Sequence, residues 1–161
     1  MLSKTPPLRT QHSALSTAFK MTQIDFYINT ADKHRIACVI AAKALERGLR
    51  TMIYTPDAAA SMHLDAMLWS TPALSFIPHC RAGDALAGVT PIVIDHRGDD
   101  VTHDDVLVNL CAQRPPFFSR FQRLVEIVGN SDDDKAAARE RYRYYRERGY
   151  PLDTHDTGKK R

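Results

Sequence analysis

The 161-residue sequence is poor in the features that cross-link or interrupt a chain. Its three cysteines, Cys38, Cys80 and Cys111, are odd in number, far apart and without a CxxC pair. That excludes a disulfide framework and a zinc ribbon, and it fits a reducing, cytoplasmic setting. Seven glycines and nine prolines exclude collagenous or low-complexity repeats. No apolar run approaches the roughly 18 residues of a bilayer span, and none marks a secretory signal. Neither GxGxxG nor GxxxxGK[ST] occurs, so the loops that cradle phosphates are missing.

Hydrophobic residues make up 43% and charged residues 25%, close to globular averages, and the length suits one domain. The net charge of +3 comes from the first twenty residues, where Lys4, Arg9 and Lys20 stand without an acid. From Met21 onward, acids and bases balance. They are unevenly spread: Lys135 to Arg148 holds six basic residues and two acidic ones, directly after Asp132-Asp133-Asp134. Such asymmetry steers a charged partner where the overall sum cannot.

Residues 1–20 are rich in serine, threonine and proline and read as a flexible extension. From Met21 the pattern alternates between strand and helix. Ile24–Asn29 reads as a strand, Ala31–Arg47 as a helix stopped by Gly48, Thr51–Thr55 as a second strand, and the segment from Pro56 as a helix ending before Pro72. Further strands are expected at Leu74–Ile77, Pro91–Asp95, Val106–Leu110 and Leu124–Val128, with a short helix or turn at Pro115–Arg120. A last helix is expected over about Asp132–Arg148, acidic at its start and basic at its end as the macrodipole favours. The fold class is therefore α/β: a single domain over 21–150, a mostly parallel sheet flanked by helices, Rossmann-like without a nucleotide-binding glycine loop, with a loose tail over 151–161.

The chemistry on offer is thin. A mononucleotide site would rest on fold analogy alone. His79-Cys80 looks like an activated thiol, but neighbours on an extended segment point to opposite sides, so the bland reading is a half-buried histidine and a small apolar cysteine. His96 and His103 among Asp99, Asp100, Asp104 and Asp105 have no defined ligand spacing and read as an exposed polar loop. No metal and no cofactor is implied. The last helix is more informative. At 100° per residue, Lys135, Arg139, Tyr142, Arg143 and Arg146 share one arc, while Glu140 and Glu147 fall beyond its edge. Arginines short of local acids suit carboxylate or phosphate recognition, although a solvated charged face is the ordinary alternative. Trp69 and Phe76 lie on a proline-flanked corner, as core residues or as aromatic anchors for a partner chain.

Three stretches together resemble the chi subunits of bacterial DNA polymerase III. They are Asp25-Phe26-Tyr27; Asp65-Ala66-Met67-Leu68-Trp69 leading to Ser75-Phe76-Ile77-Pro78-His79 and Ala82-Gly83; and Ala138-Arg139-Glu140-Arg141-Tyr142-Arg143. The resemblance runs from about Thr22 to Thr154. It implies a non-catalytic clamp-loader accessory subunit with two partners, the acidic C-terminal tail of single-stranded DNA-binding protein and the psi subunit, and only indirect contact with DNA. By motif, tail binding would fall on Val128, Lys135, Arg139, Tyr142 and Arg143. Psi, or alternatively a helicase related to DNA repair, would meet Trp69 and Phe76. Direct single-stranded nucleic-acid binding through the basic helix is the competing reading, and a small-molecule enzyme of nucleotide metabolism is a more distant one.

Overall fold

The alternation in Ile24–Asn29 makes a strand whose two faces enter different cores. In the computed structural model, which describes residues 21–70 and 77–158, seven strands form one sheet. They are β1 (Gln23–Thr30), β2 (Thr51–Tyr54), β3 (His79–Arg81), β4 (Ile92–Asp95), β5 (Val106–Asn109), β6 (Arg123–Gly129) and β7 (Leu152–Asp156). Their order is β3-β4-β2-β5-β6-β1-β7, and every adjacent pair is parallel. Among the described residues three α-helices flank the sheet: α1 (Lys33–Glu46), α2 (Ala58–Ser70) and α3 (Asp132–Glu147). None is long and apolar enough to cross a membrane.

Side chains alternate across each strand, so one sheet supplies two cores. On one face Ile53, Ile92, Ile94, Val108, Val125 and Ile127 pack under Ala37, Cys38 and Ala41 of α1 and Leu64 and Leu68 of α2. On the other, Ile24, Phe26, Met52, Leu107, Leu124 and Val128 meet Ala138 and Tyr145 of α3, with Phe118 and Phe121 at a 3-10 turn over Phe118–Arg120. Buried strands of this kind read as near-continuous apolar runs because both faces are covered.

Two expectations need correction, and a third falls largely outside the described residues. The tail after Pro151 is not loose along its length: Leu152–Asp156 joins the sheet as β7, parallel to β1. Its polar sequence concealed this because an edge strand takes its stability from backbone pairing and tolerates charge on its open side. Local anchors fix its register: Gln23 Nε2 donates to Asp153 at 3.2 Å, His155 Nε2 lies 3.2 Å from Asp25 Oδ1, and the Tyr27 and His155 rings stack at 4.6 Å. A strand lies at His79–Arg81, against β4; the strand expected at Leu74–Ile77 falls outside the described residues except for Ile77, which precedes β3. His103 is not on an exposed loop. It is 2% exposed, its Nε2 lies 2.8 Å from the Thr90 carbonyl, and its Nδ1 lies 3.2 Å from Thr102 Oγ1.

Burial holds His103 below the usual histidine range near 6.5, and it does the same to His34, whose ring also meets His63 edge-on at 4.9 Å. The unfolded chain therefore takes up protons on these two residues at a higher pH than the folded one. Stability from keeping them neutral is complete above about pH 6.5 and is lost as the pH falls through that value toward their folded pKa. Urea midpoints should be flat between about pH 7 and 8 and decline below about pH 6.5, with a shallower decline in His103→Gln. A midpoint that climbs on acidification would contradict this.

Candidate functional site

Helix α3 begins because Ser131 Oγ accepts the Asp134 N–H at 3.1 Å and three aspartates occupy its first turn. It ends where Gly149 adopts φ +80° and the Tyr150 N–H returns to the Tyr145 carbonyl at 3.1 Å. Its sequence, DDDKAAARERYRYYRE, holds no aliphatic side chain larger than alanine. The buried side consists of Ala138, Arg141 and Tyr145, and a polar cluster replaces the usual leucine ridge. Glu126 of β6, fully buried, accepts from Arg141 Nε at 2.9 Å, Tyr145 Oη at 2.6 Å and Asn109 Nδ2 at 2.8 Å. Arg141 also donates to the Ala112 carbonyl at 2.6 Å. Burial pushes the Glu126 carboxyl up, with the Arg141 guanidinium opposing it, and burial together with Glu126 pushes the Tyr145 phenol up.

Between α3 and the C-terminal ends of β1 and β6 lies a groove of about 310 Å³. Phe26, Ile28, Val128 and Ala138 give it apolar walls, while Lys135, Arg139 and Tyr142 line it from the helix. Tyr142 packs edge-on against Phe26, centroids 5.3 Å apart. Four of the five residues assigned to tail binding thus share one groove. Arg143 stands apart: it pairs with Glu140 at 2.9 Å and lines a neighbouring groove with Tyr144. Among the described residues Lys135 and Arg139 have no ion-pair partner, although Asp132, Asp133 and Asp134 directly precede Lys135.

The reason is where Asp134 points. Its carboxylate accepts the Gly129 N–H at 2.6 Å and meets Lys33 Nζ at 3.1 Å. Burial works to raise its pKa, but these two partners outweigh burial and hold it below the usual carboxylate range. The pair sits where α1 and α3 leave adjacent strands for opposite faces, the crevice in which parallel α/β folds commonly take ligands. A side chain at position 129 would put its Cβ 2.9 Å from the Asp134 oxygen. The amide and the ammonium that an incoming phosphate would need already hold the protein's own carboxylate, which weighs against the mononucleotide reading.

On the far side of α3, Arg114 and Arg148 stack on Tyr144, 3.4 and 3.6 Å from the ring centroid. With two guanidinium groups already stacked on it, Tyr144 is not a free platform for a nucleobase. At the opposite end of the sheet Trp69 is 61% exposed, its ring 4.7 Å from that of His79, and Met62, seven residues earlier on the same helical face, is exposed as well. Leu86 and Val89 are exposed in the loop between β3 and β4. Phe76 lies outside the described residues. Cys80 is half-buried, with burial raising its thiol; burial pushes Cys38 and Cys111 up to about 11. No group of three or more metal-ligating side chains occurs among the described residues.

Apart from Val128, sequence reasoning missed the groove's β-sheet side. Ile28, Asn29 and Thr154 line it, and Thr154 comes from the strand read as a tail. The alternation Ile24-Phe26-Ile28 was the available signal for the first strand's share. A lone glutamate inside the apolar run LVEIV was the signal for the buried cluster.

Comparison with known proteins shows the family. The family described as DNA polymerase III chi subunit, HolC, matches residues 21–153. A curated DNA polymerase III subunit chi from Pseudomonas aeruginosa is 36% identical over 139 residues, covering 84% of this chain and 96% of the relative. The proteins of the same name from Haemophilus influenzae and Escherichia coli are 33% and 35% identical, covering 83% and 74% of this chain and 96% and 82% of the relatives. With residues 21–153 matched by the family and most of the chain aligned to three relatives at 33–36% identity, the chain belongs to the DNA polymerase III chi subunit family.

Proposed function

We propose that this chi-family chain is a non-catalytic adaptor whose α3 groove docks the acidic C-terminal tail of single-stranded DNA-binding protein, while the Trp69 corner docks psi and so joins the clamp loader. A repair helicase is an alternative occupant of that corner. The observation that carries the first assignment is a pair of cations, Lys135 and Arg139, without an ion-pair partner among the described residues and beside an apolar groove about 310 Å³ in volume. An acidic peptide that ends in an apolar residue needs this combination: a hydrophobic slot for its last side chain and donors for its carboxylates. Exposed pairs contribute about 0.2–1 kcal/mol each, so binding is salt-sensitive and of roughly micromolar strength, and a multimeric partner raises it by avidity.

Fluorescence anisotropy with a labelled acidic peptide ending in phenylalanine tests the reading, run beside its amidated form and single-stranded DNA. The free acid should bind several-fold more tightly than the amide, and DNA should bind weakly. Equal affinity for acid and amide, or tight binding to DNA alone, would overturn it in favour of direct nucleic-acid binding. Trp69→Ala should leave the peptide affinity unchanged and weaken a psi complex by at least ten-fold, the order of one buried aromatic anchor. Co-purification with psi checks this second half.

A further inference from the structure

We propose that Glu126 is a positioning residue: it fixes the rotation and register of α3 on the sheet, and through them the alignment of the two walls of the docking groove. This rests on the tail-binding reading for its functional consequence, but its structural part stands alone. A helix normally holds its place by interlocking large aliphatic side chains with the surface beneath, and α3 has none. Ala138 is too small to act as a knob, and the helix meets the core beneath through rings, Tyr142 edge-on to Phe26 and Tyr145 edge-on to Phe118. What resists sliding is directional. Two consecutive inward positions of the helix, Arg141 and Tyr145, converge on the two oxygens of one carboxylate that is itself part of a strand. A second polar latch, Asp134 on the Gly129 N–H, ties the helix start to the end of the same strand.

The groove residues lie between these latches. Val128 is two residues beyond Glu126 on β6, and Arg139 and Tyr142 bracket Arg141 on α3. A rotation of about 20° at a side-chain radius of about 5–6 Å moves the helix surface by roughly 2 Å, enough to break a hydrogen bond to a ligand carboxylate. Buried ion pairs commonly add little stability compared with well-packed apolar groups, and fixing a register is their best-attested use.

The test separates position from stability. In Glu126→Leu/Arg141→Met/Tyr145→Phe the main participants of the cluster become apolar together, and Asn109 Nδ2 keeps its bonds to the Cys111 and Gln113 carbonyls at 3.4 and 3.2 Å. This variant should unfold cooperatively with a midpoint no lower than the parent's. Its nuclear Overhauser contacts between the Phe26 and Tyr142 rings should weaken or split into several sets, and its affinity for the acidic peptide should fall about ten-fold. Glu126→Gln, which retains the shape, should show the same ring broadening in milder form and about three-fold weaker binding. Parental ring contacts in both variants would overturn the proposal, as would parental affinity for the peptide when the rings have moved. A parent that ignores the peptide while the variants lose their ring contacts would remove the tail reading and leave the positioning role of Glu126 standing. If the triple variant does not fold, Glu126→Gln decides the question by the same two measurements.

Discussion

Replacing Lys135 and Arg139 together by glutamate should lower the affinity for an acidic, apolar-ended peptide by about 10- to 100-fold, equivalent to about 1.4–2.8 kcal/mol. Each reversal removes one attraction and adds one repulsion at a surface site, where single exposed pairs are worth about 0.2–1 kcal/mol, and the contributions accumulate because all act on one short ligand. Neither cation is engaged in an ion pair among the described residues, so the change breaks no internal bridge. The unfolding midpoint should stay near the parent's. Added salt should weaken the parent's binding while leaving the residual binding of the variant nearly flat or slightly improved, since screening acts on attraction and repulsion alike. Anisotropy titrations at two ionic strengths check both points. A double reversal that binds as well as the parent would take the cations out of the interface.

Changing Arg141 alone to methionine should have the largest effect on stability, a loss of about 3–5 kcal/mol, because it leaves the Glu126 carboxylate buried without its guanidinium. For a domain of this size that lowers Tm by roughly 10 °C or more. The direction contrasts with the combined apolar replacement, where stability is kept, and the contrast distinguishes an uncompensated charge from lost packing. The deficit should also depend on pH in a defined sense. Burial already pushes the Glu126 carboxyl up, and removal of Arg141 takes away the chief force opposing it. In the variant the folded state therefore holds that proton at a pH where the unfolded chain has released it. Stability is retained at low pH and lost as the pH rises through the carboxylate range of the unfolded chain. Calorimetry of parent and variant between about pH 5 and 8 should show the gap in Tm widening with pH, and a constant gap would assign the loss to packing.

Much of this was legible one residue at a time. The strand–helix alternation from Ile24 to Tyr54 announced a parallel α/β sheet, since period-2 and period-3.6 segments joined by short connections have few other solutions. The cationic arc of α3 was readable because helical angles follow from spacing alone. What spacing could not supply was the partner of each arginine. By angle Arg143 belongs with Arg139, yet it reaches Glu140, while Arg141 belongs to no stripe and turns inward to a glutamate fifteen residues earlier. The strand Leu152–Asp156 escaped notice because its stability comes from β1, and a polar edge carries no apolar period to read.

The sequence by itself determined the alternation of elements, the absence of a glycine-rich phosphate loop and the cationic stripe with its tyrosine, because each depends on neighbours within a turn or two. Only the tertiary structure decided that Asp134 turns to Lys33 and Gly129, that Lys135 and Arg139 are left to face an apolar groove, and that a buried carboxylate anchors the helix bearing them. These depend on contacts between segments that can lie more than a hundred residues apart, as Lys33 and Asp134 do. Which charge finds which partner is set there by burial and distance, quantities that exist only once the chain has folded.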